Sequence, residues 1–407
     1  MNNGGQHRKS RPLRLLKFDS VYPFETLQRK QESHRQHLLG LSYEKYYEWL
    51  MAQRMGFSDF LTYYMNEAGW DAREVLSLDD ILLQKLPTKK NLSLKKEIYE
   101  SIRHIGGSSL KSLVTLRAFQ GDEKKQREKR LENYIRTFQP DVLFIREPSH
   151  TDGKFWDRFR DQCLLVAFMG CTTLDPWNWN THRHDLIFTL TEEYLNFFRA
   201  EGVESHLFSY GIDERLAKEV AHSEKKYDCA FVGWLGTVDQ RAKTKLLEAV
   251  AQSVDFKWWG PKGPELGAFP ALNRTWQGTV AGLEMFQIYK QAKVVVNEYP
   301  EMAVSKNVNM RTMEVLNVGS FLLTRAATNI EWLEKEGALV TFSSQEDCLA
   351  KLRQYLADEK TREKIAAQGL RTALKHFNYR DITRGVMDVI TTAWEKKKGK
   401  LKGWSAR

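Results

Sequence analysis

The sequence has few cysteines and no long hydrophobic run. Only four cysteines occur among 407 residues, and the nearest two, Cys163 and Cys171, have a spacing that fits no metal-binding motif. We therefore expect reduced and mostly buried thiols, as in a cytoplasmic protein. No segment approaches the roughly 18 consecutive apolar residues of a membrane span. The chain is predicted to be soluble, or peripheral to a membrane.

Several catalytic motifs are also missing. The sequence contains no GxxxxGK[ST] phosphate-binding loop, no GxSxG nucleophile elbow and no HExxH zinc helix. No GxGxxG follows the first predicted strand of either half, which argues against a nicotinamide-dependent dehydrogenase. These absences disfavour phosphoryl transfer of the P-loop kind, serine hydrolysis and zinc-dependent proteolysis.

The chain has an excess of positive charge. It contains 62 basic and 52 acidic residues, for a net charge of +10, and 42% of its residues are hydrophobic. This composition is ordinary for a globular protein, and the length indicates two domains. The charge favours an acidic substrate, an anionic surface or nucleic acid, without choosing among them. Basic segments at 85–96 and 396–402 support nucleic-acid binding, although the sequence has no motif for it.

Predicted strands and helices alternate in two successive series. The first series has strands at 13–18, 141–145, 164–168, 186–190 and 206–209, and the second has strands at 229–232, 255–259, 294–296, 321–324 and 338–342. Helices between successive strands imply right-handed crossovers and parallel sheets. We therefore predict an α/β protein with two doubly wound, Rossmann-like domains that face each other across a cleft.

The same alternation predicts the domain boundaries. Residues 1–12 are expected to be a disordered basic tail, and residues 13–220 an N-terminal domain with a helical insertion. A polar linker then leads into a C-terminal domain at 221–378. Residues 379–407 are expected to form a helix and a basic tail that pack back on the N-terminal domain.

One stretch of the C-terminal domain has the features of a ligand site. The strand at 294–296 ends at Asn297, and a helix is predicted from about 309 to 316 after a polar loop. Arg311 and Glu314 are three positions apart, so they share one helical face near its positively polarised N-terminus. This pair suits a phosphate for the arginine and a sugar hydroxyl for the carboxylate. An intrahelical ion pair without a function is the alternative.

The order of motifs in the second half resembles that of the CgeB-like glycosyltransferases. These motifs are YDCAFVGWLG with Arg241 after it, KWWG, VVVNEYP, NMRTMEVLNVGSFLLT, ALVTF and DEKTREKIAAQGLRTALKHFNYRDI. The first half matches more loosely, through QPDVLFI, HDLIFTLTEEYLNFF and HLFSYGID, so that the resemblance covers roughly 139–384. It implies a GT-B fold with a retaining-type C-terminal domain. It also implies metal-independent, cofactor-free transfer of a sugar from a nucleotide-diphosphate sugar to a glycan, lipid-linked or protein acceptor.

The resemblance also implies roles for individual residues. Arg311 corresponds to the arginine that meets the donor diphosphate, and Glu314 to the carboxylate that accepts bonds from donor hydroxyls. Many retaining GT-B enzymes have another glutamate eight positions earlier, where this chain has Lys306. A lysine there removes a carboxylate near the sugar and adds a cation near the phosphates. The donor sugar is therefore left open.

The other candidate residues lie mainly at predicted strand ends. Donor contacts are predicted at Gly233, Trp234, Arg241, Trp259, Gly260, Gly278, Asn297 and Asn309. Core packing is the alternative for a tryptophan, and a loop turn for Gly278. On the acceptor side the candidates are Gly170, Asp175 and His184, with His150 as a catalytic residue. Either histidine would serve as a base if the reaction inverts the anomeric centre, or would be a surface histidine without a role.

Other functions compete with this interpretation. A nucleic-acid-binding protein would use the positive charge, a catalytically inactive GT-B scaffold would be consistent with Lys306, and a sugar-nucleotide epimerase would share the fold. The C-terminus mixes lysines with Trp394 and Trp404, which is consistent with an enzyme at the inner face of an anionic membrane. A disordered solubilising tail is the alternative for that segment.

Overall fold

Two parallel β-sheets, each flanked by helices, form the protein. The structure is a computed structural model that describes residues 11–19, 24–56, 58–87, 113–146, 151, 154–169, 183–298 and 310–399. Strands read as short apolar runs because helices cover both faces of each sheet. In the described part of the chain, Cys163, Cys229 and Cys348 are buried and unpaired, as expected for reduced thiols.

The N-terminal sheet has six parallel strands. They are β1 (Arg14–Asp19), β2 (Asp71–Leu76), β3 (Val142–Ile145), β4 (Leu164–Met169), β5 (Leu186–Thr189) and β6 (Glu204–Leu207). Their order in the sheet is β2-β1-β3-β4-β5-β6. Strand β2 is added on one side of β1, and β3 and the later strands on the other side. The strand order therefore reverses between β1 and β3, which is the kind of switch point where doubly wound sheets bind ligands.

The C-terminal sheet has five parallel strands. They are β7 (Tyr227–Val232), β8 (Phe256–Trp259), β9 (Ala292–Asn297), β10 (Leu322–Arg325) and β11 (Val340–Phe342). Their order is β11-β10-β9-β7-β8. Because β7 pairs with β8 on one side and with β9 on the other, the switch point of this sheet lies at the carboxyl ends of β7 and β9.

Helices connect the strands and cover the sheets. In the N-terminal part these are α1 (Phe24–Ser33), α2 (Arg35–Gly40), α3 (Tyr43–Ala52), α4 (Phe60–Glu67), α5 (Asp80–Lys85), α6 (Leu113–Phe138), α7 (Glu192–Ala200) and α8 (Glu214–Glu219). They are followed by α9 (Arg241–Ser253), α10 (Pro270–Thr275), α11 (Leu283–Gln291), α12 (Met310–Asn317), α13 (Glu331–Lys335), α14 (Gln345–Ala357), α15 (Glu359–His376) and α16 (Tyr379–Lys398). No helix in the described ranges is long and apolar enough to cross a bilayer.

Polar side chains begin many of these helices. The residue before the helix accepts a hydrogen bond from a backbone N–H of the first turn at Ser42, Asp79, Thr191, Asp213, Ser344, Asp358 and Asn378. Such caps satisfy backbone donors that have no partner within the helix. Helices α3 and α4 are separate elements, since α3 ends at Ala52 and α4 begins at Phe60.

The sequence prediction missed β2, which pairs in register with β1 along its whole length. The strand reads DAREVL, and its charged residues hide the apolar pattern. Glu74 of β2 is fully buried, and both of its carboxylate oxygens accept hydrogen bonds from Lys17 Nζ, at 2.9 and 3.0 Å. Lys17 also bonds Asp19 at 3.0 Å, and Arg146 pairs with Asp19 at 2.9 Å. Burial raises the pKa of Glu74 to about 7, although the Lys17 ammonium opposes the shift.

The chain passes between the domains twice, at neighbouring positions. The N–H of Ile212 donates to the carbonyl oxygen of Phe377 at 2.7 Å, and the N–H of Tyr379 donates to the carbonyl oxygen of Ile212 at 2.9 Å. Helix α16 then lies on the N-terminal domain, packed against α4 and β4. Near its end, Lys397 pairs with Asp185 at 2.6 Å.

The domains also touch through the loop that precedes α11. The N–H of Leu283 donates to the carbonyl oxygen of Gln53 at 2.8 Å, and Arg29 Nη2 donates to the carbonyl oxygen of Thr279 at 3.1 Å. Gly282 has a φ of 65°, and a Cβ there would lie 2.2 Å from the Gln53 oxygen. Only glycine allows so close an approach of the two backbones.

The buried pair of Lys17 and Glu74 predicts the outcome of a double substitution. Lys17→Met should lower the free energy of unfolding by about 3–5 kcal/mol, because it leaves a buried carboxylate without its cation. Lys17→Met combined with Glu74→Leu should recover most of that loss, since Asp19 keeps Arg146 as its partner. Urea denaturation of the three proteins measures the difference. A double variant as unstable as the single one would contradict this account of the cluster.

Candidate functional site

The carboxyl ends of β7, β8 and β9 meet at one edge of the C-terminal sheet. Gly233 directly follows β7, and helix α12 begins at this edge after β9. A Cβ placed on Gly233 would lie 3.7 Å from Nη2 of Arg311. The structure therefore brings together Gly233, in the turn after β7, and Arg311, which the sequence analysis had predicted as a donor-site residue.

Arg311 and Glu314 form an ion pair at this edge. Arg311 Nη1 donates to Glu314 Oε2 at 2.9 Å, and the side chains are only 20% and 12% exposed. The hydroxyl of Tyr289 donates to the same carboxylate oxygen at 3.4 Å. Burial lowers the pKa of Arg311 and raises that of Glu314, and each charge partly offsets the shift of the other. The ion pair uses Nη1, whereas Nη2 lies beside Gly233.

Lys243 is a second buried cation at the site, which the sequence analysis missed. It lies on α9, is 6% exposed, and its Nζ is 5.8 Å from the centre of the Phe231 ring. Burial, together with the nearby charge of Arg311, lowers the pKa of Lys243 to about 8, while Glu298 opposes the shift. An anion bound near both cations would relieve this unfavourable environment. The sequence signal was present, because Lys243 shares the apolar face of α9 with Leu246 and Leu247.

Arg241 lies on a different face of the same helix. Residues two positions apart on a helix point roughly 200° apart, so Arg241 and Lys243 face in different directions. Arg241 is 64% exposed and lies 3.7 Å from Glu265. With Lys245 it lines an open cavity of about 590 Å³ whose other walls include Phe269. The contacts of Arg241 are with this cavity and not with Arg311.

Three of the predicted glycines form the backbone of the site. Gly260 has a φ of 149°, and a Cβ there would lie 1.9 Å from the carbonyl oxygen of Gly233. The N–H of Gly260 donates to the carbonyl oxygen of Gly278 at 2.9 Å. Gly278 has a φ of 101° and no atom within 4 Å of the position of a Cβ. The turns after β7 and β8 thus lie against each other, and Gly278 borders open space.

The predicted tryptophan and asparagine contacts differ in their exposure. Trp259 is 7% exposed and packs edge-on against Tyr227, with ring centroids 5.2 Å apart, which is a core position. Trp234 is 45% exposed and lies in the turn that follows Gly233. Asn297 is buried, and its amide nitrogen donates to Thr324 Oγ1 at 3.0 Å. Its side chain holds β9 to β10.

The acceptor-side candidates are mostly outside the part of the chain that the structure describes. These positions are His150, Gly170 and Asp175, and the donor-side candidates Lys306 and Asn309 are also outside it. His184 is described, is 7% exposed, and lies two residues before β5. It therefore lies near the amino end of a strand, whereas ligands of parallel sheets bind at the carboxyl ends.

Comparisons with known proteins agree with this architecture. Residues 240–388 match the model of a family described as glycosyl transferase-like. The whole chain resembles sucrose-phosphate synthase from Thermosynechococcus elongatus, with a TM-score of 0.53 and 10% identity, over 95% of this chain and 100% of that one. No curated protein sequence matches significantly.

Two further structures are similar at lower scores. A glycosyltransferase from Rickettsia africae has a TM-score of 0.48 and 8% identity over 94% of this chain and 99% of that one. Anabaena HepE in complex with UDP-glucose has a TM-score of 0.46 and 12% identity over 93% of this chain and 99% of that one.

The predicted fold and class of activity are therefore confirmed. Two Rossmann-like parallel sheets arranged as in sucrose-phosphate synthase form a GT-B fold. Residues 240–388, which include most of its C-terminal domain, match the glycosyl transferase-like family. Arg311, Glu314 and Lys243 all lie within the matched segment, so the charged site described above belongs to that domain.

The unusual environment of Lys243 predicts an increase in stability when its charge is removed. Its folded-state pKa of about 8 is below the ordinary value of 10.5, so the ammonium destabilises the fold below pH 8. Lys243→Met should raise the free energy of unfolding at pH 7 by about 1–3 kcal/mol. The advantage should shrink as the pH rises from 8 towards 10.5 and vanish above it, where the lysine is neutral in both the folded and the unfolded state.

Urea denaturation at pH 7 and at pH 10 measures this effect. Lys245→Met is the matched control, because Lys245 is exposed on the same helix. Its substitution should change stability little at either pH. A Lys243→Met protein that is less stable than the wild type at pH 7 would show that the lysine has a structural role.

Proposed function

We propose that this protein is a glycosyltransferase that uses a nucleotide-diphosphate sugar, bound at the carboxyl edge of the C-terminal sheet. The observation that carries the proposal is a pair of cations, the partly buried Arg311 beside Gly233 and the buried Lys243 near Arg311. Proteins seldom bury two cations near each other unless an anion joins them. A diphosphate of a bound nucleotide supplies that anion.

The same groups provide a mechanism for the departure of the nucleotide. When the glycosidic bond breaks, negative charge develops on the leaving diphosphate. Arg311 Nη2 and the Lys243 ammonium stabilise this charge through charge-assisted hydrogen bonds, without requiring a metal ion. Glu314 stays held by Arg311 and Tyr289, and its remaining acceptor positions suit hydroxyls of the donor, of the ribose in particular. Lys306 is proposed to add a further cation.

The acceptor side of the proposal is supported by sequence resemblance. Membership of the CgeB-like branch would place a glycan, lipid-linked or protein acceptor on the N-terminal domain, with retention at the anomeric carbon. His150, Gly170, Asp175 and His184 stay predictions for that side. The enzyme is proposed to work in the cytoplasm, and its tail to contact the inner face of the membrane.

Nucleotide binding tests the donor site. A thermal-shift screen against UDP, GDP, dTDP, ADP and CMP sugars is expected to identify one stabilising donor. Arg311→Ala and Lys243→Met should each weaken binding of the corresponding nucleotide by about 10- to 100-fold, because each removes a charged hydrogen bond to phosphate. Isothermal titration calorimetry measures the loss. The affinity of the wild type should also fall as the pH rises above about 8, where Lys243 loses its proton.

Arg241→Ala is the matched control for these substitutions. It removes a cation from the first position of α9, whose side chain contacts the cavity near Glu265. Binding should stay within about 2-fold of the wild type, since exposed charges contribute little. If no nucleotide stabilised the protein, or Arg311→Ala bound as tightly as the wild type, the proposed donor site would be rejected.

Liposome flotation tests the proposed membrane contact. Lys397 forms an ion pair with Asp185, and Lys396 lies 3.2 Å from Glu204. Binding to the membrane must therefore depend mainly on the lysines that follow. The protein should float with vesicles that contain anionic lipid at low salt, and should be released at high salt. A protein truncated after residue 399 is the control and should stay at the bottom of the gradient. Absence of binding by the full chain at low salt would exclude the membrane contact.

A further inference from the structure

Helix α12 ends in a residue that contacts the N-terminal domain. Asn317 is 2% exposed. Its amide nitrogen donates to the carbonyl oxygen of Asp213 at 2.8 Å, and its amide oxygen accepts from the N–H of Asp213 at 3.2 Å, an orientation assigned from these two contacts. The helix that carries Arg311 and Glu314 therefore has a two-bond contact with the segment that follows β6.

Asp213 is in turn fixed by the N-terminal domain. It is fully buried, and its carboxylate accepts from the hydroxyl of Tyr64 at 3.2 Å and from Arg215 Nε at 2.9 Å. Arg215 Nη2 also donates to Asp59 Oδ1 at 2.9 Å. Asp59 and Tyr64 lie at the start of α4 and within it. Asp213 therefore cannot move away from the N-terminal domain without breaking several buried bonds.

One face of α12 packs in an apolar cluster between the domains, and the other face carries the charged residues of the donor site. Met313 and Leu316 pack in one cluster with Ile212, next to the point where the chain passes between the domains. Arg311 and Glu314 lie at the donor site. The helix has eight residues and is about 12 Å long, so it moves as a rigid rod. A displacement of Arg311 is transmitted to Asn317.

We propose that Asn317 is a positioning residue that couples occupancy of the donor site to the relative orientation of the two domains. The proposal rests on the proposed function, because it needs a phosphate-bearing ligand at Arg311. The amide of Asn317 holds α12 in register with Asp213, and through Asp213 with α4. A ligand that displaces Arg311 thereby moves the N-terminal domain relative to the C-terminal one.

The chain contains a matched control for this contact. Asn66 of α4 makes the same kind of amide pair, donating to the carbonyl oxygen of Ala72 at 2.8 Å and accepting from its N–H at 2.8 Å. Both partners of that pair belong to the N-terminal domain. Asn66→Ala and Asn317→Ala remove the same two types of hydrogen bond, and only the second pair joins the two domains.

Pulsed electron paramagnetic resonance between two spin labels measures domain orientation. The labels are placed at Glu48→Cys on α3 and Arg353→Cys on α14, which are exposed positions in different domains, in a Cys171→Ser background. Distances are recorded without nucleotide and with saturating UDP, GDP, dTDP, ADP or CMP in turn. In the wild-type background we expect a narrow distribution that the bound nucleotide shifts.

The two alanine variants should then differ. Both should lower the unfolding midpoint by a few degrees. Asn317→Ala should broaden the nucleotide-free distribution, abolish the nucleotide-dependent shift and weaken nucleotide binding by about 5- to 50-fold, the usual range for coupled sites. Asn66→Ala should match the wild type in all three measurements. If Asn317→Ala did not fold, Asn317→Asp, which places an oxygen against the Asp213 carbonyl, should give the same three changes.

Two results would overturn the proposal. One is an Asn317 variant whose distances and affinity equal those of the wild type. The other is an Asn66→Ala protein with the same changes as Asn317→Ala, which would make them an effect of stability alone. If the wild type bound none of these nucleotides, the proposed function would fail, and the nucleotide-free distances would still decide whether Asn317 fixes the domain orientation.

Discussion

Parallel pairing of β7 with β8 on one side and β9 on the other is the constraint on which the donor site depends. The chain turns to opposite faces of the sheet after these strands, which leaves a crevice at their carboxyl ends. Gly233 and Gly260 lie at this edge, where their backbones are too close to leave room for a Cβ on Gly260. The helix that enters from β9 then brings Arg311 to the same point.

The energetics of this edge are those of a site prepared for a ligand. Lys243 and Arg311 are both removed from water, and each lies near carboxylates that offset only part of the cost. In a purely structural role, such cations would be fully paired, as Lys17 is with Glu74 and Asp19. In the Lys17 cluster the buried cation is neutralised by carboxylates of the fold. In the cluster of Arg311 and Lys243 the cations can still bind an incoming anion.

Sequence periodicity predicted the alternation of strands and helices well, because parallel strands and their covering helices have distinct hydrophobic patterns. The stretch from 294 to 324 was predicted almost to the residue, as β9, α12 and β10. The pattern failed at β2, whose buried glutamate is explained only by a lysine 57 positions earlier. It also passed over Lys243, since a charge pattern does not show which side chains of a helix point towards the carboxyl edge of the sheet.

The position of β7 determines where this protein can be cut into separate domains. The segment that matches the glycosyl transferase-like family begins at residue 240, after β7, and ends at 388, inside α16. A fragment with those ends would lack β7, which pairs with β8 on one side and with β9 on the other. It would also lack half of α16, the helix that packs on the N-terminal domain. The matched segment is therefore smaller than the domain defined by the sheet, and expression of either lobe alone requires boundaries drawn from the sheet.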